Sequence, residues 1–282
     1  MDFQALAATA LAVVLYMSLL FLVALRKKDN SIVDIGWGPG FVLVALLTLF
    51  WAKASGAIGH TAVVQEESAS SLPMLWGNMP GDRQLLVTGL VLVWGLRLGI
   101  HIWLRKRGKP EDFRYAAWRK AWGRSFVVRS FFQIFMLQGL FLLLVSWPVW
   151  WVNLSPGRGL TPLDAAGAAV WLVGFLFEAV GDAQMERFKR DPANKGRIID
   201  RGLWRFTRHP NYFGEAAMWW GLFLIALSAP GGWTAAVSPV LITFLLLRVS
   251  GIPMLERKYA GRPDWEEYAR RTSRFFPRLP KR

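Results

Sequence analysis

Residues 208–215 read Arg-His-Pro-Asn-Tyr-Phe-Gly-Glu, and this stretch separates two segments of opposite character. The segment before it, residues 187–205, is strongly basic, whereas residues 216–229 form an apolar run. A chain that passes from water into lipid has such a boundary at the membrane surface, where aromatic and cationic side chains collect. The stretch also brings together His and Tyr, two of the scarcer residue types. We therefore predict that it forms the edge of a binding site.

Apolar runs separated by charged connections make up the rest of the chain. Its 282 residues are 54% hydrophobic, and the runs approach the roughly 20 residues that cross a hydrocarbon core. The first run ends in three basic residues and is interpreted as a retained span, not a cleaved signal peptide. We predict an all-α integral membrane protein, a single polytopic domain over residues 1–282 with seven transmembrane helices. The spans are placed at 3–25, 34–52, 84–104, 126–151, 163–185, 211–229 and 233–250, followed by a tail over 251–282.

Lysine and arginine collect on one side of the predicted membrane. The segments after spans 1, 3, 5 and 7 carry 29 of the 34 Lys and Arg residues. By the positive-inside rule this side is cytoplasmic, so the N-terminus is outside and the C-terminus is in the cytoplasm. Topology thus explains the formal charge of +15, and no nucleic-acid partner is expected. The expected location is a bacterial inner membrane, or the endoplasmic reticulum membrane in a eukaryote.

Ionisable residues inside the predicted spans are the second functional signal. Each costs about 2.5–3.5 kcal/mol on insertion scales, so such residues usually face the bundle interior. With one exception, these residues lie within about two turns of the cytoplasmic face, which predicts a cavity open to the cytosol. The residues are Asp34, Arg97, Glu178, Asp182, Glu215 and Arg248, and Arg97 is the exception.

Each of these residues also has a structural interpretation. Glu178 and Asp182, one helical turn apart, could pair with an arginine of another span and hold helices together. Arg248 could reach lipid phosphates, and Glu215 suits the first turn of a helix because of the helix dipole. Asp34 could cap the second span. The basic segments 105–110 and 187–205 could bind either anionic headgroups or a cytosolic cofactor with several phosphates.

Several common sites are excluded by the sequence. The chain has no Cys, which rules out disulfides, thiolate metal sites and a Cys nucleophile, and with three His no metal site is expected. The glycine-rich stretch 36–40 leads into a transmembrane helix without a preceding strand, so it is not a Rossmann fingerprint. A dinucleotide would need a helical, membrane-embedded site.

Three segments resemble one superfamily. Residues 201–215 resemble the cofactor segment of steroid 5-alpha-reductases (3-oxo-5-alpha-steroid 4-dehydrogenases) and sterol reductases. The tail from Glu256 through Trp265 and Tyr268 to Phe276-Pro277 is similar to the ending of that superfamily. Residues 31–38 resemble a bacterial branch of uncharacterised 5-alpha-reductase-like proteins. The resemblance is best over spans 5 to 7 and the tail, about a third of the chain.

The resemblance implies an integral-membrane, NADPH-dependent reductase of a carbon–carbon double bond, often one conjugated to a carbonyl in a steroid or other lipid. Lys189 stands where the family has an Arg, so the positive charge is kept but the two-pronged hydrogen bonding of a guanidinium group is lost. Matching positions, together with the predicted cavity, give a set of cofactor-binding candidates. They are Arg97, Glu178, Asp182, Lys189, Arg208, His209, Asn211, Tyr212, Glu215, Arg248 and Glu256.

The catalytic candidate is Asp34. In the resembled family an acid near the start of span 2 and a Tyr on span 3 polarise the enone oxygen. Asp34 matches the acid by position, whereas Trp94 stands at the Tyr position and cannot donate a proton in the same way. A hydride would pass from NADPH to the beta carbon while Asp34 hydrogen-bonds the carbonyl oxygen. The lipid substrate would enter sideways from the membrane.

Two other functions remain open. The pattern Arg-His-Pro-x-Tyr-x-Gly also occurs in membrane methyltransferases of the isoprenylcysteine and phospholipid type, which use S-adenosylmethionine. Those enzymes commonly have adjacent glutamates in the tail helix, whereas here Glu256 is followed by Arg257. The third alternative is a non-catalytic lipid-binding or transport protein, for which midplane charges and an inverted repeat would be expected. The sequence leaves the substrate, the pathway and the oligomeric state undecided.

Overall fold

The structure is a computed structural model that describes residues 2–54, 81–155 and 159–280. Within these ranges all regular elements are helical and no strand occurs. Six helices are long and apolar enough to cross a membrane, namely Phe3–Lys27 (α1), Ile32–Ala54 (α2), Asp82–Lys106 (α3), Phe113–Val145 (α4), Pro162–Arg190 (α6) and Gly232–Arg257 (α8). The shorter helices are Trp147–Leu154 (α5), Pro210–Ala226 (α7) and Pro263–Arg271 (α9). This supports the prediction of an all-helical integral membrane protein.

Most predicted spans match the helix starts to within two residues, and a helical segment also begins at Phe126, where we predicted the start of the fourth span at 126–151. The long helix α4 that contains this segment already begins at Phe113, passes through a 3-10 turn at Gly123–Ser125, and ends before a turn at Ser146 that precedes α5. The early start follows from Asp112, whose side chain caps α4 by accepting a hydrogen bond from the amide of Arg114. The connection expected between spans 3 and 4 is therefore partly helical.

The predicted sixth span corresponds to α7. Its 17 residues rise about 25 Å, which is less than the roughly 30 Å thickness of a hydrocarbon core. Seven spans and their orientation therefore stay predictions.

The chain packs as two compact units. The amino-terminal unit consists of Met1–Leu160 and Ala229–Gly232, and the carboxy-terminal unit consists of Thr161–Ser228 and Trp233–Arg282. The single membrane domain that we expected over residues 1–282 stays a prediction.

In the amino-terminal unit α2 and α3 are held together by a close approach and a polar network. A Cβ atom on Gly95 would lie 2.6 Å from the carbonyl oxygen of Gly38, so the two backbones meet where both residues lack side chains. Farther along these helices, Asn153 of α5 is fully buried and donates to the Thr48 hydroxyl at 2.9 Å. Gln84 of α3 donates to the carbonyl of Asn153 at 2.8 Å. These bonds satisfy polar groups that apolar surroundings would leave without partners.

In the carboxy-terminal unit α6 and α7 run antiparallel and touch along small residues. Three glycines spaced seven residues apart lie on one face of α6, because seven residues are close to two helical turns. They face α7 in the pairs Gly167–Gly221, Gly174–Gly214 and Gly181–Pro210. The backbones are too close for side chains, since a Cβ atom on Gly214 would lie 2.6 Å from the amide nitrogen of Glu178. This packing fixes the first turns of α7 against the end of α6 that carries Glu178 and Asp182.

Candidate functional site

The carboxy-terminal tail returns to the start of α7. The amide of Arg208 donates to the carbonyl of Ser273 at 2.9 Å, and the Thr207 hydroxyl donates to the carbonyl of Phe275 at 2.8 Å. The stretch 206–208 and the tail residues 273–278 therefore lie side by side. These are parts of two segments that the sequence linked to one superfamily, and the fold brings them into contact.

Glu256, near the end of α8, is the centre of a cationic cluster at this junction. Its Oε1 atom lies 3.1 Å from an Arg208 nitrogen and 3.1 Å from Nε2 of His209, and its Oε2 atom lies 3.3 Å from Nε of Arg274. The side chains of Glu256, Arg208 and His209 are only 18%, 12% and 5% exposed. A carboxylate can only accept, so Nε2 of His209 carries a proton and Nδ1 is the basic nitrogen of the neutral ring. Burial lowers the pKa of His209 despite Glu256, which favours this neutral form near pH 7.

Aromatic rings surround the cluster. The guanidinium of Arg208 lies 5.7 Å from the ring centre of Trp265, and His209 stacks on Tyr212 with ring centres 5.6 Å apart. Tyr268 is buried, donates to the carbonyl of Trp204 at 2.6 Å, and has a pKa raised by that burial. Within the described part of the chain, Nε of Arg208 is a buried donor without an acceptor. The cluster thus has a net positive charge, from two arginines and one carboxylate, and one buried donor without an acceptor.

The other candidates of this unit lie on α6, α7 and α8. Glu178 and Asp182 are buried on α6, and Lys189 is exposed near its end. On the first two turns of α7 lie Asn211, Tyr212 and Glu215, all partly exposed, while Arg248 is exposed on α8. The structure therefore brings Arg208, His209 and Glu256 into one cluster and places Glu178 and Asp182 on the helix that α7 packs against. Their role in cofactor binding stays a prediction.

Asp34 belongs to the amino-terminal unit and forms a second acid-centred cluster there. Its Oδ1 atom accepts a hydrogen bond from the hydroxyl of Tyr115 at 2.6 Å, and its Oδ2 atom accepts one from Arg114 at 3.0 Å. Arg114 also donates to Asp112 at 2.8 Å. Tyr115 is only 3% exposed. Asp34 lies inside the first turn of α2, and both of its oxygens bind side chains of α4, so capping is not its role.

Arg114 and Tyr115 were missed by the sequence analysis because the fourth helix was predicted to begin at residue 126. The signal was present: Asp112 is a suitable N-cap residue, and a helix-compatible segment follows it. The other two candidates of this unit lie on α3. Arg97 is partly exposed, and Trp94 is buried with its ring 5.4 Å from that of Phe41.

The turn between α1 and α2 is hydrogen-bonded to α4 and to Glu111, which lies just before α4. Glu111 accepts two hydrogen bonds from Arg119, at 2.8 and 3.0 Å, and one from the amide of Asn30 at 2.8 Å. The side chain of Asn30 is buried and donates to Ser130 at 2.7 Å. This bracing holds the start of α2 against α4, and so keeps Asp34 and Tyr115 in register.

The fold and these clusters define a helical membrane protein in which a partly buried acid is paired with a buried tyrosine in one unit and a cationic cluster lies in the other. The chain belongs to the DUF1295 family, described as a protein of unknown function, whose model matches residues 20–272.

Three proteins are similar in sequence. An uncharacterized protein of Schizosaccharomyces pombe is 26% identical over 260 residues, which cover 81% of this chain and 74% of that protein. The 3-oxo-5-alpha-steroid 4-dehydrogenase 1 of Bos taurus is 33% identical over 84 residues, covering 29% of this chain and 32% of the relative. A probable O-methyltransferase of Ustilaginoidea virens is 39% identical over 51 residues, 18% of each chain. No solved structure matches.

Proposed function

We propose that this protein is a membrane reductase that uses NADPH to reduce a carbon–carbon double bond conjugated to a carbonyl in a lipid or steroid-like substrate. The observation that carries the proposal is the hydrogen bond between Asp34 and the buried hydroxyl of Tyr115. A buried acid–phenol pair can polarise a carbonyl oxygen and deliver a proton, which reduction of an enone requires. The similarity to a 3-oxo-5-alpha-steroid 4-dehydrogenase supports the reaction class.

The phenol of Tyr115 can donate a proton to the substrate carbonyl, which the indole of Trp94, at the family's Tyr position, cannot do in the same way. With Asp34 ionised, the phenol donates to the carboxylate across the 2.6 Å contact. When Asp34 takes up a proton, the bond reverses: the acid donates to the phenol oxygen, and the phenol proton is available to a substrate carbonyl. Arg114 fixes the second carboxylate oxygen, so Asp34 turns its other oxygen to Tyr115. Asp34 would then act chiefly through Tyr115, a more indirect role than the sequence suggested.

The residues of the carboxy-terminal unit suit a phosphorylated cofactor. Arg208 offers a buried, unsatisfied donor, and Lys189 and Arg248 are exposed cations that can contact phosphate oxygens. Asn211 and Tyr212 could contribute neutral hydrogen bonds. When bound, NADPH would supply the hydride, while the protein orients the substrate and excludes water.

The second candidate is an S-adenosylmethionine-dependent methyltransferase. It is favoured by the similarity to a probable O-methyltransferase and by the arrangement of His209 and Glu256. A carboxylate that holds Nε2–H of a neutral imidazole leaves Nδ1 as a base, which could take a proton from a hydroxyl that is being methylated.

Ligand-dependent stability of the purified protein in detergent separates the two candidates. A ligand that binds only the folded state raises the unfolding midpoint by mass action. We expect NADPH and NADP⁺ to raise it, and S-adenosylmethionine and S-adenosylhomocysteine to leave it unchanged. Protection by the methyl donor pair alone would exclude the reductase. A spectrophotometric assay of NADPH consumption with enone lipids then tests turnover directly.

A further inference from the structure

The carboxy-terminal unit contains a cavity of about 250 Å³ whose charged lining is entirely arginine. The lining includes Arg208, Arg270, Arg271, Arg274 and Arg278, and no carboxylate is among the residues that line it. We call this cavity the arginine pocket. Sequence analysis placed the phosphate-binding residues in segments 105–110 and 187–205 and did not single out the arginines of the tail.

The fold explains why arginines distant in sequence meet here. The last turn of α9 carries Arg270 and Arg271, where the helix dipole favours cations. The chain then turns and runs beside the stretch before α7, since the amide of Arg278 donates to the carbonyl of Phe206 at 3.0 Å. This return brings the tail arginines to Arg208, about 60 residues earlier.

The positive charge of the pocket is only partly compensated. Arg208 and Arg274 share the single carboxylate of Glu256, and Arg271 lies 3.7 Å from Glu267 and 4.0 Å from Asp200.

The remaining two arginines of the pocket have no such partner. Among the residues that the structure describes, no carboxylate lies within 4.0 Å of Arg270 or Arg278, both of which are exposed. The orphaned Nε of Arg208 adds a buried donor at the same place. Cations at this density repel each other, so an anion in the pocket would be stabilising.

A neighbouring cavity of the same unit provides the contrast. It has a volume of about 380 Å³, and its lining balances three arginines against three acids. The charged residues are Arg197, Arg201, Arg271, Asp200, Asp264 and Glu267. Both cavities belong to the same surface of basic loops and tail, yet only the arginine pocket lacks acids in its lining. A general excess of basic residues therefore does not account for its composition.

We propose that the arginine pocket binds a phosphate group. Guanidinium groups bind phosphate oxygens through paired, charge-assisted hydrogen bonds, and several of them around one small cavity match a doubly or singly charged phosphate ester. The volume suits a phosphate and its immediate substituent, since pockets for whole drug-sized ligands begin at about 300 Å³. The phosphate could belong to a soluble nucleotide or to a membrane phospholipid. This inference does not rest on the proposed reductase activity.

The test compares two double variants of the full-length protein. Arg270→Gln/Arg278→Gln removes the two arginines that lack a carboxylate partner, so folding should be preserved. Arg26→Gln/Arg124→Gln removes the same charge from two exposed positions of the amino-terminal unit, outside the pocket and outside segments 105–110 and 187–205, and is the matched control. The soluble probe is inorganic pyrophosphate at constant ionic strength, read as a shift of the unfolding midpoint in detergent. The membrane probe is the same measurement in nanodiscs of phosphatidylglycerol and of phosphatidylcholine.

We expect the wild type and the control to be stabilised by at least one probe. The apparent affinity of the pocket variant should be about tenfold to a hundredfold weaker, because charge-assisted hydrogen bonds contribute about 1.5–3 kcal/mol. Loss of the pyrophosphate effect identifies a soluble phosphate ligand, and loss of the phosphatidylglycerol effect identifies a lipid headgroup. The inference is overturned if neither probe stabilises the wild type, or if both double variants respond equally.

Discussion

Asp34 and Glu256 are each a partly buried acid held by basic side chains, but their surroundings differ. Asp34 has one cation, Arg114, and one neutral phenol, Tyr115, both from the first turn of α4. Glu256 has Arg208, Arg274 and the imidazole of His209, which come from separate segments. An acid that shares a proton with a phenol is suited to proton transfer, whereas an acid surrounded by basic groups is suited to organising a binding surface. The proposed function therefore predicts proton transfer at the first cluster and ligand binding at the second.

The largest effect is expected from Gly214→Leu, which disrupts the packing of α6 on α7 next to the second cluster. The new side chain would collide with the backbone of α6, where the Glu178 amide lies 2.6 Å from the Cβ position, and backbone atoms cannot move aside singly. We expect a destabilisation of about 3 kcal/mol or more and little folded protein, measured by detergent thermal unfolding. Gly89→Ala is the control, because nothing lies within 4 Å of its Cβ position. Equal stability of the two variants would contradict the close packing of α6 and α7.

Removing the central charge of the second cluster should have the next largest effect. Glu256→Gln leaves the guanidinium of Arg208 without a carboxylate, and breaking a buried ion pair costs about 3–5 kcal/mol. Because Glu256 is partly exposed, we expect about 2–3 kcal/mol in denaturant unfolding. Asp34→Asn should cost only about 1 kcal/mol, because Arg114 keeps Asp112 as a partner. Glu266→Gln, at an exposed site on α9, serves as the neutral control. A larger loss for Asp34→Asn than for Glu256→Gln would reverse the ranking of the clusters.

Tyr115→Phe should separate chemistry from binding. We expect turnover of an enone lipid to fall about 10²-fold, the range for loss of a general acid, with NADPH protection unchanged. Stability should fall by about 1 kcal/mol for the lost hydrogen bond. Tyr16→Phe is the matched control, since Tyr16 is also a tyrosine of the amino-terminal unit and donates to the carbonyl of Gly36 at 2.8 Å. If both variants lose turnover equally, Tyr115 has only a structural role.

The smallest effect is the pH dependence of stability that His209 contributes. Burial holds the pKa of His209 below the ordinary value of 6.5, so the unfolded state binds the proton more readily. Stability from this residue is present above pH 6.5 and is lost as the pH falls from there to the folded pKa. The slope cannot exceed about 1.4 kcal/mol per pH unit.

The measurement is the difference between the unfolding curves of wild type and His209→Gln from pH 7.5 to 5.5. The wild type should lose stability faster as the pH falls. Parallel curves would show that His209 is not held neutral by its surroundings.

Periodicity and charge located the helices well where apolar runs are uninterrupted. The starts of α1, α2 and α3 lie within two residues of the prediction, because hydrophobicity alone marks a membrane helix. The start of α4 was missed because its first turns are polar and depend on the cap at Asp112. Tyr115 was missed for the same reason, so the sequence identified Asp34 as a candidate but not the phenol that hydrogen-bonds to it.

The sequence predicted the acidic face of α6, but it did not predict the arginine pocket. Glu178 and Asp182, one turn apart, necessarily share a face of α6, and both are buried there. By contrast, the tail arginines of the pocket meet Arg208 only because the backbone of residues 273–278 pairs with that of residues 206–208. No local rule of spacing predicts such a return of the chain.

The sequence by itself determined that this protein is a helical membrane protein with basic connections and few interior charges, because lipid requires every span to be apolar and internally hydrogen-bonded. Only the tertiary structure decided which charged groups meet. Tyr115 contacts Asp34 because α4 begins before residue 126. Glu256 contacts Arg208, His209 and Arg274 because the tail runs back beside the start of α7. The reason is physical: each residue's own apolarity indicates whether it lies in a span, whereas the partners of a charged group depend on which distant backbone segments come together, such as residues 206–208 and 273–278.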